Sequence, residues 1–118
     1  QDHPEDYHFF HAIHLDDNAI LAKDNLIIQP LMLSKDHDFD FVLKNISGNV
    51  LLIIKDDHGK VLTTNYDEKS NTYYKSMAFQ SHISEFYHIE IKAEKFQKNG
   101  ECIVYSKCHL SNKKTCKN

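Results

Sequence analysis

The sequence contains no arginine and no tryptophan, so all 14 of its basic residues are lysine. Guanidinium groups make the bidentate contacts with phosphate and guanine that specific nucleic-acid binding uses, and the chain has none of them. Its net charge is −3, so the positive field that attracts a nucleic-acid backbone is missing as well. We therefore expect no nucleic-acid partner.

Long apolar runs are also absent. A membrane-spanning helix needs about 20 apolar residues, whereas the longest run here, Val50–Ile54, has the length of a strand. There are no internal repeats and no low-complexity linkers. The 118 residues, 41% of them hydrophobic, are enough to bury a sizeable core. We predict one domain over residues 1–118, with a flexible arm at 1–6 and no membrane span.

No Cys-x-x-Cys pair exists, which argues against zinc ribbons and thioredoxin chemistry. The three cysteines are Cys102, Cys108 and Cys116. On an extended strand, residues 102 and 108 lie about 20 Å apart, too far for a disulfide. We predict a Cys108–Cys116 bridge and a buried free thiol at Cys102. Two alternatives stay open: a Cys102–Cys116 bridge, or three reduced thiols in a cytosolic protein.

Strand patterns fill most of the chain. Phe39, Phe41 and Leu43 alternate with polar residues, as on a half-buried strand. The apolar run Val50–Ile54 predicts a central, covered strand, and Gly59 in the following turn can adopt positive φ. With Phe86–Ala93 and Glu101–Lys107, we count seven to nine short strands about ten residues apart. This spacing predicts an all-β fold, an antiparallel, jelly-roll-like β-sandwich.

Two segments leave the local structure less defined. Residues 7–15 fit a strand, which their β-branched and aromatic content favours, or a short helix. Pro30 interrupts the run at 26–33 and lacks an N–H, so this strand is expected at a sheet edge, bulged or split.

Residues 38–93, about half the chain, resemble secreted jelly-roll or GOLD-like β-sandwiches of the pre-peptidase C-terminal type. The resemblance rests on Phe39-Asp40-Phe41, Leu51–Ile54, Asp57-His58-Gly59, Phe79 and the late strand from Phe86 to Ile91. The family pattern has glycine two residues before the tyrosine of that strand, and here the residue is glutamate. The resemblance implies a secreted accessory or binding domain without catalytic activity. Residue 1 is Gln rather than Met, which is consistent with a removed signal peptide, and we expect a secreted or periplasmic protein.

Histidines suggest a metal site as an alternative function. His3 at the third position can bind Cu(II) or Ni(II) together with a free terminal amine and two amides. His8, His11 and His14 share a face on a helix and could hold Zn(II) or Cu(II) there. On a regular strand, His8 and His14 point to one side and His11 to the other, and these histidines are then simply polar residues of a packed segment.

Carboxylates suggest a second metal site. Asp38 and Asp40 could join His88 and Glu90 around Ca(II) or Zn(II) if their strands are neighbours. The competing interpretation is a solvated sheet face, on which alternating polar residues are normal. We expect no cofactor, with a Cu, Zn or Ca ion as the alternative.

Our principal hypothesis is a non-catalytic protein that binds a glycan, a host protein or an envelope component. We expect the contact surface to include Tyr74, His88, Glu90 and Lys92. A small secreted hydrolase is a third possibility, with Cys102 as a conceivable nucleophile, but no nucleophile-elbow motif appears. We therefore expect no enzymatic activity. The oligomeric state is not determined by the sequence.

Overall fold

A computed structural model describes residues 7–15, 25–93 and 99–108, and within these ranges the chain forms ten β-strands. In chain order they are β1 (His8–His14), β2 (Leu26–Leu33), β3 (His37–Lys44), β4 (Val50–Lys55), β5 (Val61–Thr64), β6 (Tyr66–Asp67), β7 (Thr72–Tyr73), β8 (Ser76–Gln80), β9 (Glu85–Ala93) and β10 (Glu101–Cys108).

Eight of the strands form two four-stranded antiparallel sheets that pack face to face. Sheet A has the order β1-β10-β3-β8, and sheet B has the order β2-β9-β4-β5. The remaining two strands, β6 and β7, form a small hairpin of their own. The predicted all-β sandwich is therefore confirmed. The structure has ten strands instead of seven to nine, and two of the ten are the two-residue strands of this hairpin, which are too short to show alternation in the sequence.

The pairing order is that of a jelly roll. β1 pairs with β10, β2 with β9, β3 with β8, and β4 with β5, all antiparallel. The chain thus runs as one long antiparallel ribbon that closes at the turn between β4 and β5. Wrapping this ribbon places alternate pairs in opposite sheets, which gives the two-sheet arrangement of the jelly-roll fold.

The core lies between the sheets and follows the predicted alternation. Phe39 and Phe41 of β3 are almost fully buried, while Asp38 and Asp40 lie on the other face. On β9, Ile89 and Ile91 are completely buried. The remaining residues of the same buried apolar cluster are Ile13, Leu15, Ile27, Leu31, Leu33, Leu43, Val50, Leu52, Ile54, Met77, Tyr87, Cys102 and Val104.

The turns use asparagine and aspartate where other proteins often use glycine. The chain has three glycines, and Gly59 adopts a φ of 86° as expected. Among the residues that the structure describes, five non-glycine residues also have positive φ, between 50° and 68°: Asn25, Asp36, Asn45, Asn71 and Asn99. Asn and Asp tolerate this left-handed conformation better than other L-residues because their short polar side chains bond locally to the backbone.

Residues 7–15 include strand β1 rather than a helix, and β1 contains an irregularity. The register with β10 shifts between Phe9 and His11, as at a β-bulge. The Phe10 ring lies edge-on to Phe39, with centroids 5.6 Å apart. β2, which contains Pro30, lies at the edge of sheet B as predicted.

Asn65 connects the β6–β7 segment to sheet B. Its side chain is buried, and its Oδ1 accepts a hydrogen bond from the Leu52 N–H at 2.8 Å. Its Nδ2 donates to the carbonyls of Val50 and Tyr74, both at 2.8 Å. The Tyr74 N–H in turn donates to the Asn65 carbonyl at 3.0 Å. Asn65 therefore fixes the backbone of Tyr74 against β4.

We expect Asn65→Ala to lower the free energy of unfolding by about 2–4 kcal/mol, because it leaves one buried N–H and two carbonyls without partners. Urea denaturation measures this change. Asn49→Ala makes the same chemical change in an exposed turn and should stay within about 0.5 kcal/mol of the wild type. Equal effects of the two substitutions would contradict this role for Asn65.

Candidate functional site

An open groove lies where the edge strand of sheet B approaches the edge strand of sheet A. Its volume is about 390 Å³, within the range of about 300–1,000 Å³ usual for small-ligand sites. Residues from the end of β5, from β6 and from β8 line it, with Tyr74 between them: Thr63, Thr64, Asn65, Tyr66, Asp67, Tyr74, Ser76, Met77 and Ala78.

Two tyrosines dominate the groove. Tyr74 is 51% exposed. This exposure is high for a large aromatic residue whose backbone N–H and carbonyl both form hydrogen bonds. The Tyr66 ring packs against Tyr73 with centroids 4.6 Å apart, and its hydroxyl donates to Asn71 Oδ1 at 2.9 Å. The Tyr66 ring and the Tyr74 backbone are therefore held in place without a ligand.

Of the described residues that line the groove, Asp67 is the one that carries a charge. Its Oδ1 accepts from the Lys69 N–H at 3.1 Å, and its Oδ2 accepts from the Ser70 hydroxyl at 2.9 Å. These bonds hold the carboxylate in the turn between β6 and β7. Each carboxylate oxygen has a second lone pair, so the group can still accept a bond from a ligand hydroxyl.

The other three predicted partner-binding residues lie on a different surface. His88, Glu90 and Lys92 alternate along β9 on the outer face of sheet B. Glu90 Oε2 lies 2.8 Å from Lys55 Nζ on the neighbouring β4, and both side chains are largely buried. The structure thus divides the four predicted residues between the groove, which holds Tyr74, and the outer face of sheet B.

Tyr66 is one of four tyrosines, with Tyr73, Tyr74 and Tyr105, that the sequence suggests as an exposed platform for a sugar ring or a partner surface. Tyr66 and Asp67 are nevertheless absent from the contact surface that the sequence predicts. In the sequence they belong to a polar segment that looks like an ordinary loop. The β6–β7 pairing, which places Tyr66 opposite Tyr73, has only two residues on each strand and no alternation to reveal it. The sequence signal that marked this part of the chain was its tyrosines, Tyr66, Tyr73 and Tyr74, of which Tyr74 is exposed.

The predicted histidine trio does not share one face. His8 and His11 pair with Ser106 and Val104, which lie on the same side of β10. The bulge therefore places His8 with His11, which corrects the regular-strand expectation. His14 lies on the opposite side, with its Nδ1 3.3 Å from Glu101 Oε2.

Neither predicted metal cluster is assembled by the described residues. Asp38 and Asp40 lie on the outer face of sheet A, whereas His88 and Glu90 lie on the outer face of sheet B. Within residues 7–15, 25–93 and 99–108, no group of three or more His, Cys, Asp or Glu side chains is placed to hold a metal ion. His3 lies outside the described residues, so the N-terminal site stays a prediction.

Cys102 is a free, completely buried thiol, as predicted. Burial raises the pKa of this thiol from 9.0 to about 12, which leaves it protonated at neutral pH and unsuited to act as a nucleophile. The alternative Cys102–Cys116 bridge is therefore excluded. Cys108 ends β10, and Cys116 lies outside the described residues, so the Cys108–Cys116 bridge stays a prediction.

The raised pKa of Cys102 predicts a specific pH dependence. Between pH 9 and 12 the unfolded chain has lost the Cys102 proton while the folded chain retains it. This thiol therefore lowers the free energy of unfolding by about 1.4 kcal/mol for each pH unit above 9. Cys102→Ala lacks this effect, so the difference in unfolding free energy between wild type and variant should shrink between pH 8 and pH 10.5. Urea denaturation under reducing conditions measures this difference. A constant difference would contradict the buried, protonated thiol.

Comparisons with protein-family models, curated proteins and solved structures found no match for this chain. In the part of the chain that the structure describes, no helix has the length and apolar character needed to cross a membrane. We therefore infer function from the groove and from the outer face of sheet B.

Proposed function

We propose that this protein is a secreted, non-catalytic carbohydrate-binding protein that holds a neutral sugar in the groove between β5, β6 and β8. The observation that carries the proposal is the exposed ring of Tyr74, whose backbone is hydrogen-bonded to Asn65, beside a groove lined by hydroxyl and carboxylate oxygens. The jelly-roll fold occurs in many lectin domains, which is compatible with this function but does not establish it.

The chemistry of the groove matches that of a sugar. A pyranose ring has one face of C–H groups and a rim of hydroxyls. The half-exposed Tyr74 ring offers an apolar surface for the C–H face at little conformational cost. Thr63, Thr64 and Ser76 add hydroxyls, which both donate and accept hydrogen bonds as sugar hydroxyls do.

The charge of the groove favours a neutral ligand. Of the described residues that line it, Asp67 carries a negative charge and none is lysine or histidine. A phosphate, sulfate or sugar carboxylate would meet this carboxylate without a compensating cation. A neutral hydroxyl can instead donate a charge-assisted hydrogen bond to Asp67.

The same lining supports binding without catalysis. Glycoside hydrolysis generally requires two carboxyl groups on either side of the scissile bond, separated by about 5–9.5 Å. Asp67 is the one carboxylate among the described lining residues, so the usual acid and nucleophile pair has no second member there. We accordingly propose recognition of the sugar rather than its cleavage.

Secretion belongs to the proposal because of the predicted disulfide. Disulfides form and persist outside the cytosol, and a Cys108–Cys116 bridge would tie the C-terminal residues to the end of β10. Peptide mass mapping of alkylated, non-reduced protein from an oxidising expression compartment should show Cys108 linked to Cys116 and Cys102 alkylated only after unfolding. Three free thiols would contradict the proposed compartment.

Tyr74→Ala should weaken binding of a neutral oligosaccharide at least about tenfold, because the variant loses the aromatic surface under the sugar. The measurement is a screen of the wild type on an array of neutral and anionic glycans, followed by calorimetry with the best soluble neutral ligand. Tyr74→Phe retains the ring and should keep most of the affinity.

Phe86→Ala is the matched control, since Phe86 is 53% exposed but lies on the outer face of sheet B. It should bind the sugar as the wild type does. The proposal would be wrong if no neutral glycan binds, if anionic glycans bind instead, or if Phe86→Ala and Tyr74→Ala lose affinity equally.

A further inference from the structure

We propose that the outer face of sheet B is the interface of a homodimer, in which two copies pack these faces together around a two-fold axis. This inference is independent of sugar binding in the groove. It rests on the residues that the pairing register places on this face and on their exposure.

The register arranges the outward side chains in rows across the sheet. Ile28, Glu90, Ile53 and Thr64 form one row from β2 to β5. On one side of it lies a row of Leu26, Lys92 and Leu51. On the other side lie two rows, the first with Pro30, His88, Lys55 and Val61 and the second with Met32 and Phe86.

Eight of these thirteen outward side chains are apolar, which is unusual for a sheet face exposed to water. A solvated antiparallel face normally alternates polar residues outward, and on β9 the outward residues His88, Glu90 and Lys92 follow this rule. On β2 and β4 the outward residues are instead almost all apolar. Ile28, Met32 and Phe86 are 54%, 43% and 53% exposed, and such a contiguous apolar patch is typical of an interaction surface.

The charges on the face permit an identical copy as the partner. Glu90 and Lys55 already form a close ion pair at 2.8 Å, so their charges largely cancel within each copy. The remaining lysine, Lys92, lies in the row at one end of the face, away from Met32 and Phe86. No block of one sign opposes association of two equal faces, and none would attract a strongly charged partner instead.

The available area fits a weak dimer. The four strands of sheet B contain 27 residues, and each strand residue covers about 16 Å² of a sheet in projection. Two such faces together bury about 1,000 Å² once side-chain relief is included, which is the lower limit for a specific interface. Sheet faces of this kind pack well on other sheet faces, and a second copy supplies a face of matching size and composition.

Sedimentation equilibrium of the full chain tests the dimer. We expect the average mass to rise from 13.8 kDa toward twice that value as concentration increases, with a Kd on the order of 10–100 µM. Ile28→Asp and Phe86→Asp should each weaken association at least tenfold, because each introduces a charge that two-fold symmetry places twice in the interface.

Phe9→Asp is the matched control, since Phe9 is 65% exposed on the outer face of sheet A. It should associate as the wild type does. Phe9, Ile28 and Phe86 are all exposed, so the three substitutions should leave the circular-dichroism spectrum and the midpoint of thermal unfolding unchanged at low concentration. Loss of association would then not reflect unfolding.

The inference would be overturned by a wild type that stays monomeric at about 500 µM, or by a dimer that Phe9→Asp disrupts and Ile28→Asp does not. Its failure is distinguishable from failure of the proposed function. Tyr74→Ala should dimerise normally, and Ile28→Asp should bind the neutral sugar normally.

Discussion

Burial of the inward-facing side chains between sheets A and B is the constraint on which the other features of this molecule depend. Phe39 and Phe41 on β3, together with Ile89 and Ile91 on β9, are almost completely removed from water, and each such burial contributes about 1.5–3 kcal/mol. Because strand side chains alternate, fixing the inward set also fixes which residues face outward. The apolar outer positions of sheet B and the polar outer positions of β9 are therefore consequences of the core register.

The jelly-roll pairing determines where the sandwich opens. Pairing of β1 with β10 and β4 with β5 leaves β8 and β5 as edge strands of sheets A and B, and the chain between them forms the β6–β7 hairpin. Asn65 holds this segment through three side-chain hydrogen bonds. A buried polar residue is costly without partners, and here the fully satisfied amide gives the groove a defined shape. The groove thus lies where two sheet edges meet, and Asn65 hydrogen-bonds the segment beside it to sheet B.

Regular alternation made much of the fold predictable from the sequence. The predicted strands at 38–44, 50–54, 86–93 and 101–107 agree closely with β3, β4, β9 and β10, because one face of each is strongly apolar. Pairing over two residues, as in β6–β7, leaves no such pattern, and the bulge beside Phe10 changes the faces of the following histidines in a way that composition does not reveal. The site was accordingly predictable only through its tyrosines, Tyr66 and Tyr74, since the groove depends on contacts between residues far apart in the chain.

The groove and the outer face of sheet B share only Thr64 among their named residues, and we assign them to two different binding events. Backbone amide chemical shifts mapped by nuclear magnetic resonance test this division most directly. Titration with a neutral oligosaccharide should shift amides at 63–67 and 74–78, whereas dilution of the protein alone should shift amides of β2, β9 and the outward positions of β4. Oligosaccharide shifts that map to β2 and β9, or dilution shifts that map to the groove, would contradict it.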